Sequence, residues 1–328
     1  IKTWGLHSGG AASGIYRSTD AGKTWEPMNT RGIEFGKNHP VGKTSVCIAP
    51  SNSQVVYALI EDKEPRLYRS ENGGNNWILV KKDHSMAQRA AYYTRVRVSP
   101  ANADEVYTIC VQILKSKDGG KSWAKPEGSP WAMGGDCHDM WFDPRNPNRQ
   151  MVAHDGCMNM SMNGGKSWQN INLPVAQLYH VSVDNAIPYH VLGNRQDGYS
   201  YRGPSNTRAG GIPLSAWQNV GGCESGFAQA DPRDPDIIWS GCYDGGLDVT
   251  DMKTGIARDI RVWPETQYGW KPADVKFRWH WNFPMVISKH QPNTVWVGSQ
   301  FIHQTTNAGQ SWQVISPDLT TADPKKMD

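Results

Sequence analysis

An eight-residue motif that returns at near-constant spacing is the strongest constraint on what this chain can become. It reads STDAGKTW from residue 18, SENGGNNW from 70, SKDGGKSW from 116, SMNGGKSW from 161 and TTNAGQSW from 305. The intervals are 52, 46, 45 and then 144 residues. The last is three ordinary periods, so two repeats with degenerate motifs are expected inside it. Upstream of each motif an apolar strand, a Pro- or Asn-containing turn and a second strand recur: SVCIAPSNSQVVYAL from 45, VRVSPANADEVYTI from 96, MWFDPRNPNRQMVA from 140 and MVISKHQPNTVWVG from 285. The degenerate repeats carry the same unit, as HVSVDNAIPYHVLG from 180 and FAQADPRDPDIIWSG from 227.

Six inner strand pairs and an outer hairpin around the first motif read as an all-β, seven-bladed β-propeller of four-stranded antiparallel blades, with strands A to D in each. The expected segments are 1–35 (outer hairpin of a partial first blade), 44–82, 92–125, 137–172, 178–220, 226–265 and 282–316, with 317–328 as a tail. Because the first blade lacks inner strands and the chain opens at Ile1 without a charged-then-apolar leader, the sequence reads as a segment of a longer chain. The whole reads as one domain, since closed β architectures commonly reach this length.

Each position of the motif has a local physical role. The Ser or Thr hydroxyl and the Asp or Asn side chain bond amides of the C–D turn, Gly supplies positive φ, and Trp covers the seam between blades. Asp20, Trp25, Asn72, Trp77, Asp118, Trp123, Asn163, Trp168, Asn307 and Trp312 are therefore assigned to structure. Abundant Gly (33), Pro (21) and Trp (15) agree with short strands and many turns. Lys plus Arg (34) against Asp plus Glu (31) leaves a net charge of +3 with no basic run, which speaks against a nucleic-acid surface. No stretch reaches the roughly 18 apolar residues of a membrane helix.

These motifs resemble the Asp boxes (BNR repeats) of sialidases, two-propeller xyloglucanases, sortilin-type receptors and photosystem assembly propellers. GDCHDMWFDPRNPNRQMVAHDG (135–156), QLYHVSVDNAIPYHVLGNRQDG (177–198), GGCESGFAQADPRDPDIIWSG (221–241) and the segments FPMVISKHQPNTVWVGS and SWQVISPDLT near the C-terminus resemble secreted bacterial proteins of the sortilin-like, "glycosyl hydrolase" type. The resemblance implies the propeller fold and an extended parent chain; function does not follow from fold. An Arg-Ile-Pro motif and a Tyr–Glu nucleophile pair of the sialidase kind find no match here, which disfavours sialidase activity.

In a propeller the loops entering strand A and joining B to C emerge on one face, around the central channel. Here they gather Asp136, His138, Asp139, His154, Asp155, Asp197, Glu224 and Asp244 with Arg89, Arg95, Arg195, Gln196 and Arg278, and with Tyr92, Tyr93, Tyr179, Tyr243, Trp279 and Trp281. Carboxylates and amides beside aromatic platforms suit a polyhydroxylated ligand, so a glycan is the expected partner. Hydrolysis requires two carboxylates about 5 to 9 Å apart; Asp136 or Asp139 facing Asp197 or Glu224 is the expected catalytic pair. Each residue also has a plain structural reading, such as turn formation for Asp155 and Asp197 or an interblade ion pair for Arg278. His138, Asp139, His154 and Asp155 are of metal-ligating types without a recognised ligand spacing. Asp-rich turns suit structural Ca²⁺, but no cofactor or metal is assigned.

Cys137 precedes strand A and Cys157 follows strand B in one blade, and Cys223 and Cys242 hold similar places in another. Since the start of A lies beside the end of B, disulfides Cys137–Cys157 and Cys223–Cys242 are expected, each contributing about 3 kcal/mol. Cys47 and Cys110 are expected to be free and buried. Two disulfides imply an extracytoplasmic location, whether secreted, periplasmic or on the cell surface. Two functions compete: a glycan-binding propeller with glycoside hydrolysis as its further activity, and a non-catalytic protein-interaction propeller, sortilin-like or within a larger extracellular assembly.

Overall fold

A computed structural model describes residues 9–28, 31–33, 35, 39–90, 92–127, 135–171, 173, 175–267, 269–291 and 293–327. Residues 1–8 of the expected first hairpin, and Ala91, Gly134 and Pro174 of the expected site loops, lie outside the described residues. The described residues form seven successive antiparallel sheets, the blades of a seven-bladed β-propeller. They fall into two compact units, 1–173 and 174–328.

The first unit opens with a two-stranded sheet, β1 (Tyr16–Arg17) and β2 (Glu26–Pro27). The second sheet is β3 (Thr44–Ile48), β4 (Val56–Ile60), β5 (Arg66–Ser70) and β6 (Ile78–Lys82). The third is β7 (Arg95–Ser99), β8 (Asn102–Ile109) and β9 (Ile113–Ser116), with a fourth strand reduced to the bridge Lys115–Ala124. The fourth is β10 (Cys137–Asp143), β11 (Asn146–His154), β12 (Cys157–Ser161) and β13 (Gln169–Ile171). Burial follows strand position. Every residue of β4 is buried, as befits a strand covered on both faces, whereas β7 alternates buried Val96 and Val98 with more exposed Arg95 and Arg97. Tyr57, Leu59, Leu67, Val96, Val98 and Val106 form one apolar cluster, each side chain contributing about 1.5–3 kcal/mol by burial.

The second unit holds three four-stranded sheets. These are β14 (Leu178–Val183), β15 (His190–Arg195), β16 (Ser200–Pro204) and β17 (Gln218–Asn219); β18 (Ala228–Asp231), β19 (Asp234–Gly241), β20 (Leu247–Asp251) and β21 (Ile256–Asp259); and β22 (Met285–Ile287), β23 (Val295–Gly298), β24 (Ile302–Thr305) and β25 (Gln313–Val314). Its core is aromatic as well as aliphatic, with Trp239, Phe283, Leu247 and Val295 buried together.

All five Asp boxes share one hydroxyl-to-amide network and differ at the seventh residue, whose hydroxyl donates to Asp20 or Asp118, accepts from Asn163 or Asn307, and is replaced by Asn76 in the second box. In SKDGGKSW, Ser116 Oγ accepts from the amides of Asp118 and Gly120 at 3.3 and 2.8 Å and donates to Asp118 Oδ1. Asp118 in turn accepts from the Ser122 amide and hydroxyl at 2.9 and 2.6 Å. Gly119 and Gly120 take φ values of 72° and 95°, which suit residues without Cβ. The degenerate repeats replace this turn: Asp251 Oδ1 accepts from the Lys253 and Thr254 amides between β20 and β21, and the β16–β17 connection is a longer loop in which Thr207 Oγ1 donates to Gly211 O. Seam burial by the box Trp is not uniform. Trp77 is 5 % exposed against Ile15, Met28 and Tyr68, but Trp25 is 61 % exposed, with its indole donating to Gly22 O of its own turn.

Cys223 and Cys242 are joined, with Cα atoms 4.8 Å apart. The expected bond between Cys137 and Cys157 is absent, and both are thiols. The tight Asp155–Gly156 turn ends β11 at His154 and places Cys157 on β12, so that His154 pairs with Cys137 on one side and Cys157 on the other. Two strand spacings, about 9–10 Å, then separate the cysteines, beyond the span of a disulfide. Cys47 is half-buried, not buried as expected, while Cys110 is fully buried. No helix among the described residues is long and apolar enough to cross a membrane.

Candidate functional site

In each sheet with three or four strands the loop entering the first strand and the turn joining the second to the third share one end. In the first unit these loop ends hold a connected cluster. Asp136 adopts a left-handed backbone (φ 46°) that lets its amide reach Val111 O at 2.9 Å while its carboxylate accepts from Arg89 Nη1 at 2.9 Å. The Arg89 guanidinium lies 4.8 Å from the Tyr92 ring centre and 5.5 Å from that of Tyr93. Tyr93 meets the His138 ring edge-on at 5.0 Å, and His138 Nε2 is 2.5 Å from Asp155 Oδ1. Burial, and then the carboxylates of Asp155 and Asp136, push the Tyr93 phenol well above its usual range, so it stays a neutral donor.

Asp139 turns away from this cluster, accepting from Arg97 Nη2 at 2.8 Å. His154 is buried; its Nδ1 accepts from the Gly156 amide at 3.1 Å, which leaves the proton on Nε2 to donate to Asn159 Oδ1. His138 and Asp155 thus pair with each other while Asp139 and His154 turn to Arg97 and Asn159, and among the described residues no three His, Cys, Asp or Glu side chains converge as metal ligands. Arg95 opens β7 opposite Ile109.

The second unit assembles a more open cluster around the disulfide. Glu224 follows Cys223 and Tyr243 follows Cys242, so the bond ties the loop entering β18 to the β19–β20 turn. Glu224 Oε2 accepts from Gln196 Nε2 at 3.2 Å and from the Asp197 amide at 3.3 Å. Asp197 and Asp244 both take left-handed φ, 54° and 57°, in Asp-Gly turns. Tyr243 stacks on Trp281 with ring centres 4.8 Å apart and planes 13° from parallel, and Trp281 Nε1 donates to Tyr179 OH at 3.2 Å. Trp281 is 38 % exposed.

Three residues expected at the site are engaged by neighbouring segments. Arg278 Nη2 donates to Asp318 Oδ2 and Thr320 Oγ1 of the C-terminal segment. Trp279 packs into the core beside Phe283 and His303, and Gly245 is kept side-chain-free because a Cβ there would lie 2.4 Å from the Trp279 indole. Arg195 lies over the Tyr201 ring at 5.4 Å.

Several residues at these loop ends escaped sequence reading. Buried Asn194 donates through Nδ2 to the carbonyls of Ser225 and Gly241 at 2.7 and 3.0 Å, clamping the loop that carries Glu224. Thr266 and Gln267 donate to Asp244 at 3.0 and 3.3 Å. A cavity of about 270 Å³ is lined by Tyr243, Asp244, Asp248, Arg261 and Thr266. Burial raises the Asp248 carboxyl above the usual range, although its Oδ2 accepts from the Gly222 amide at 3.0 Å. The NRQDG and CYDGG turns marked this neighbourhood, but nothing local marks Asp248, whose environment is set by the packing of distant segments. A larger cavity, about 360 Å³ among Trp123, Gln150 and Lys166 of the first unit, lies among the box turns, away from the loop ends.

The BNR/Asp-box repeat family matches residues 16–27. A sialidase of Bacteroides fragilis (strain YCH46) is 23% identical over 210 residues, covering 56% of this chain and 33% of the relative. The chain therefore spans about one third of the length of the curated relative it matches. Among solved structures, a GH74 enzyme of Niastella koreensis is similar over 94% of this chain and 64% of its own, at 12% identity and a TM-score of 0.39. YCF48 bound to D1 peptide is similar over 88% and 85%, at 14% identity and a TM-score of 0.38.

Proposed function

We propose that this propeller binds a glycan at the loop ends of β14–β25, outside the cytoplasm. The observation that carries the reading is the stacked Tyr243–Trp281 pair, held by Tyr179 and anchored through the disulfide beside Glu224. Sugar rings present apolar C–H faces and a rim of hydroxyls; aromatic platforms take the first, while carboxylates and amides take the second. The 270 Å³ cavity beside Tyr243 has the room and the lining for one sugar residue. Likeness to a sialidase supports a glycan over other polyhydroxylated ligands, and the disulfide supports an oxidising compartment.

Cleavage is the further activity within this proposal. It needs one protonated and one ionised carboxyl flanking the bond. Glu224, Asp197 and Asp244 with the raised Asp248 are the second unit's carboxyls of this neighbourhood. Incubating the full chain with a panel of neutral, acidic and amino-sugar polysaccharides reads both steps, binding by depletion and cleavage by release of reducing ends. Binding to at least one member, weakened tenfold or more in Glu224→Gln, is expected. Absence of binding across the panel, or undiminished binding by that variant, would overturn the proposal.

A further inference from the structure

The loop-end clusters of the two units differ at their roots. Glu224 and Tyr243 are each one residue from a cysteine of the Cys223–Cys242 bond. Asp136 is likewise one residue from Cys137, but that thiol has lost its expected partner, because Cys157 sits two strands away. The residue that does face Cys137 is Cys110, just past the end of β8. The Cys137 amide donates to Cys110 O at 2.8 Å, and the neighbouring Asp136 amide donates to Val111 O at 2.9 Å.

Strand residues that exchange both backbone bonds have Cα atoms about 5.5 Å apart, a separation that disulfides commonly span, and the bond from the Cys137 amide to Cys110 O brings these two backbones into the same kind of direct contact. Both residues are buried, Cys110 at 0 % and Cys137 at 2 % exposure. In the reduced state Cys110 Sγ is engaged by weak contacts to backbone groups, Gln112 O at 3.2 Å and Ser85 O at 3.4 Å among them, which rotation about χ1 gives up. Burial, and next the Cys110 sulfur, push the Cys137 thiol up to about 12, so thiolate is scarce once the chain has folded.

We propose that Cys110 and Cys137 form a second disulfide, which joins the end of β8 to the start of β10 and fixes the loop carrying Asp136. In the reaction the two thiols lose two protons and two electrons to a disulfide donor, a glutathione or protein disulfide. One S–S bond forms in the chain, and the donor's S–S bond breaks to give two thiols. Since both sulfurs are buried in the folded chain, the exchange belongs to folding, before β7–β9 packs on β10–β13. The bond does not depend on the glycan reading, and its test does not use a glycan.

The full chain is folded in a buffer of oxidised and reduced glutathione, denatured without reductant, alkylated and mapped by peptide mass spectrometry. The expected result is two alkylated cysteines, Cys47 and Cys157, together with crosslinked peptides for Cys110–Cys137 and Cys223–Cys242. Four alkylated cysteines, with Cys110 and Cys137 among them, would overturn the proposal, as would a crosslink from Cys137 to any other cysteine. In Cys110→Ser, Cys137 is expected to become alkylated; continued protection of Cys137 in that variant would also count against the bond.

Discussion

His303 shows how one buried side chain makes a fold sensitive to acid. It is fully buried among Phe277, Trp279 and Phe301, with Nε2 2.8 Å from Ser299 Oγ and, among the described residues, no hydrogen-bond partner on Nδ1. Burial brings its pKa down to about 4 from an ordinary 6.5. Between those two values the unfolded chain binds a proton that the folded chain refuses, so stability falls as pH drops from about 6.5 towards 4. The loss from this residue reaches up to roughly 3 kcal/mol at the acid end. Urea unfolding at pH 7, 6, 5 and 4 should show this slope, and His303→Gln should flatten it; an unchanged slope in the variant would assign the acid sensitivity elsewhere. The box carboxylates act in a lower window. Hydrogen bonds from Thr24 and Ser18 hold Asp20 down at about 2, so its contribution, present above the ordinary carboxylate pKa, is lost only as the pH falls towards 2.

At the scale of the element, the C–D turns and the loop ends differ in how their partners are arranged along the chain. Ser116, Asp118, Gly120 and Ser122 satisfy one another within seven residues, so the box was readable from its letters alone. Because the buried Ser116 hydroxyl accepts from two amides, Ser116→Ala should cost about 1–3 kcal/mol in chemical denaturation. A loss within experimental error would mean that water replaces the hydroxyl. Strand order and the A–B turns were legible for the same reason: Asp143 and Asp231 each accept from the amide two residues on. The loop ends were legible only as a neighbourhood. Glu224 is held by Gln196, 28 residues earlier, and Tyr179 meets Trp281 across 102 residues. The cysteine pairing missed for a related reason. Spacing alone did not reveal that a two-residue turn carries Cys157 onto β12 while Cys242 stays beside the A-entry loop.

For the whole molecule, the net charge is +3 with no basic run, so long-range steering of a polyanion is not built into the sequence. The two units present chemically different loop ends. The first is dominated by the linked charges Arg89–Asp136 and His138–Asp155, the second by a stacked aromatic pair with carboxyls at its edge. Sialidase likeness reaches only a third of the relative's length and comes without an Arg-Ile-Pro motif, so it favours a glycan in general over sialic acid in particular. The most direct measurement is isothermal titration of the full chain with an oligosaccharide from whichever polysaccharide it depletes, comparing wild type with Trp281→Ala. Because Trp281 is partly exposed and its stacking and hydrogen-bonding partners, Tyr243 and Tyr179, lie at the loop ends, the variant should keep its melting temperature within a few degrees. Binding through the Tyr243–Trp281 platform predicts at least a tenfold loss of affinity in that variant, about 1.4 kcal/mol, whereas equal affinity in a folded variant would contradict it.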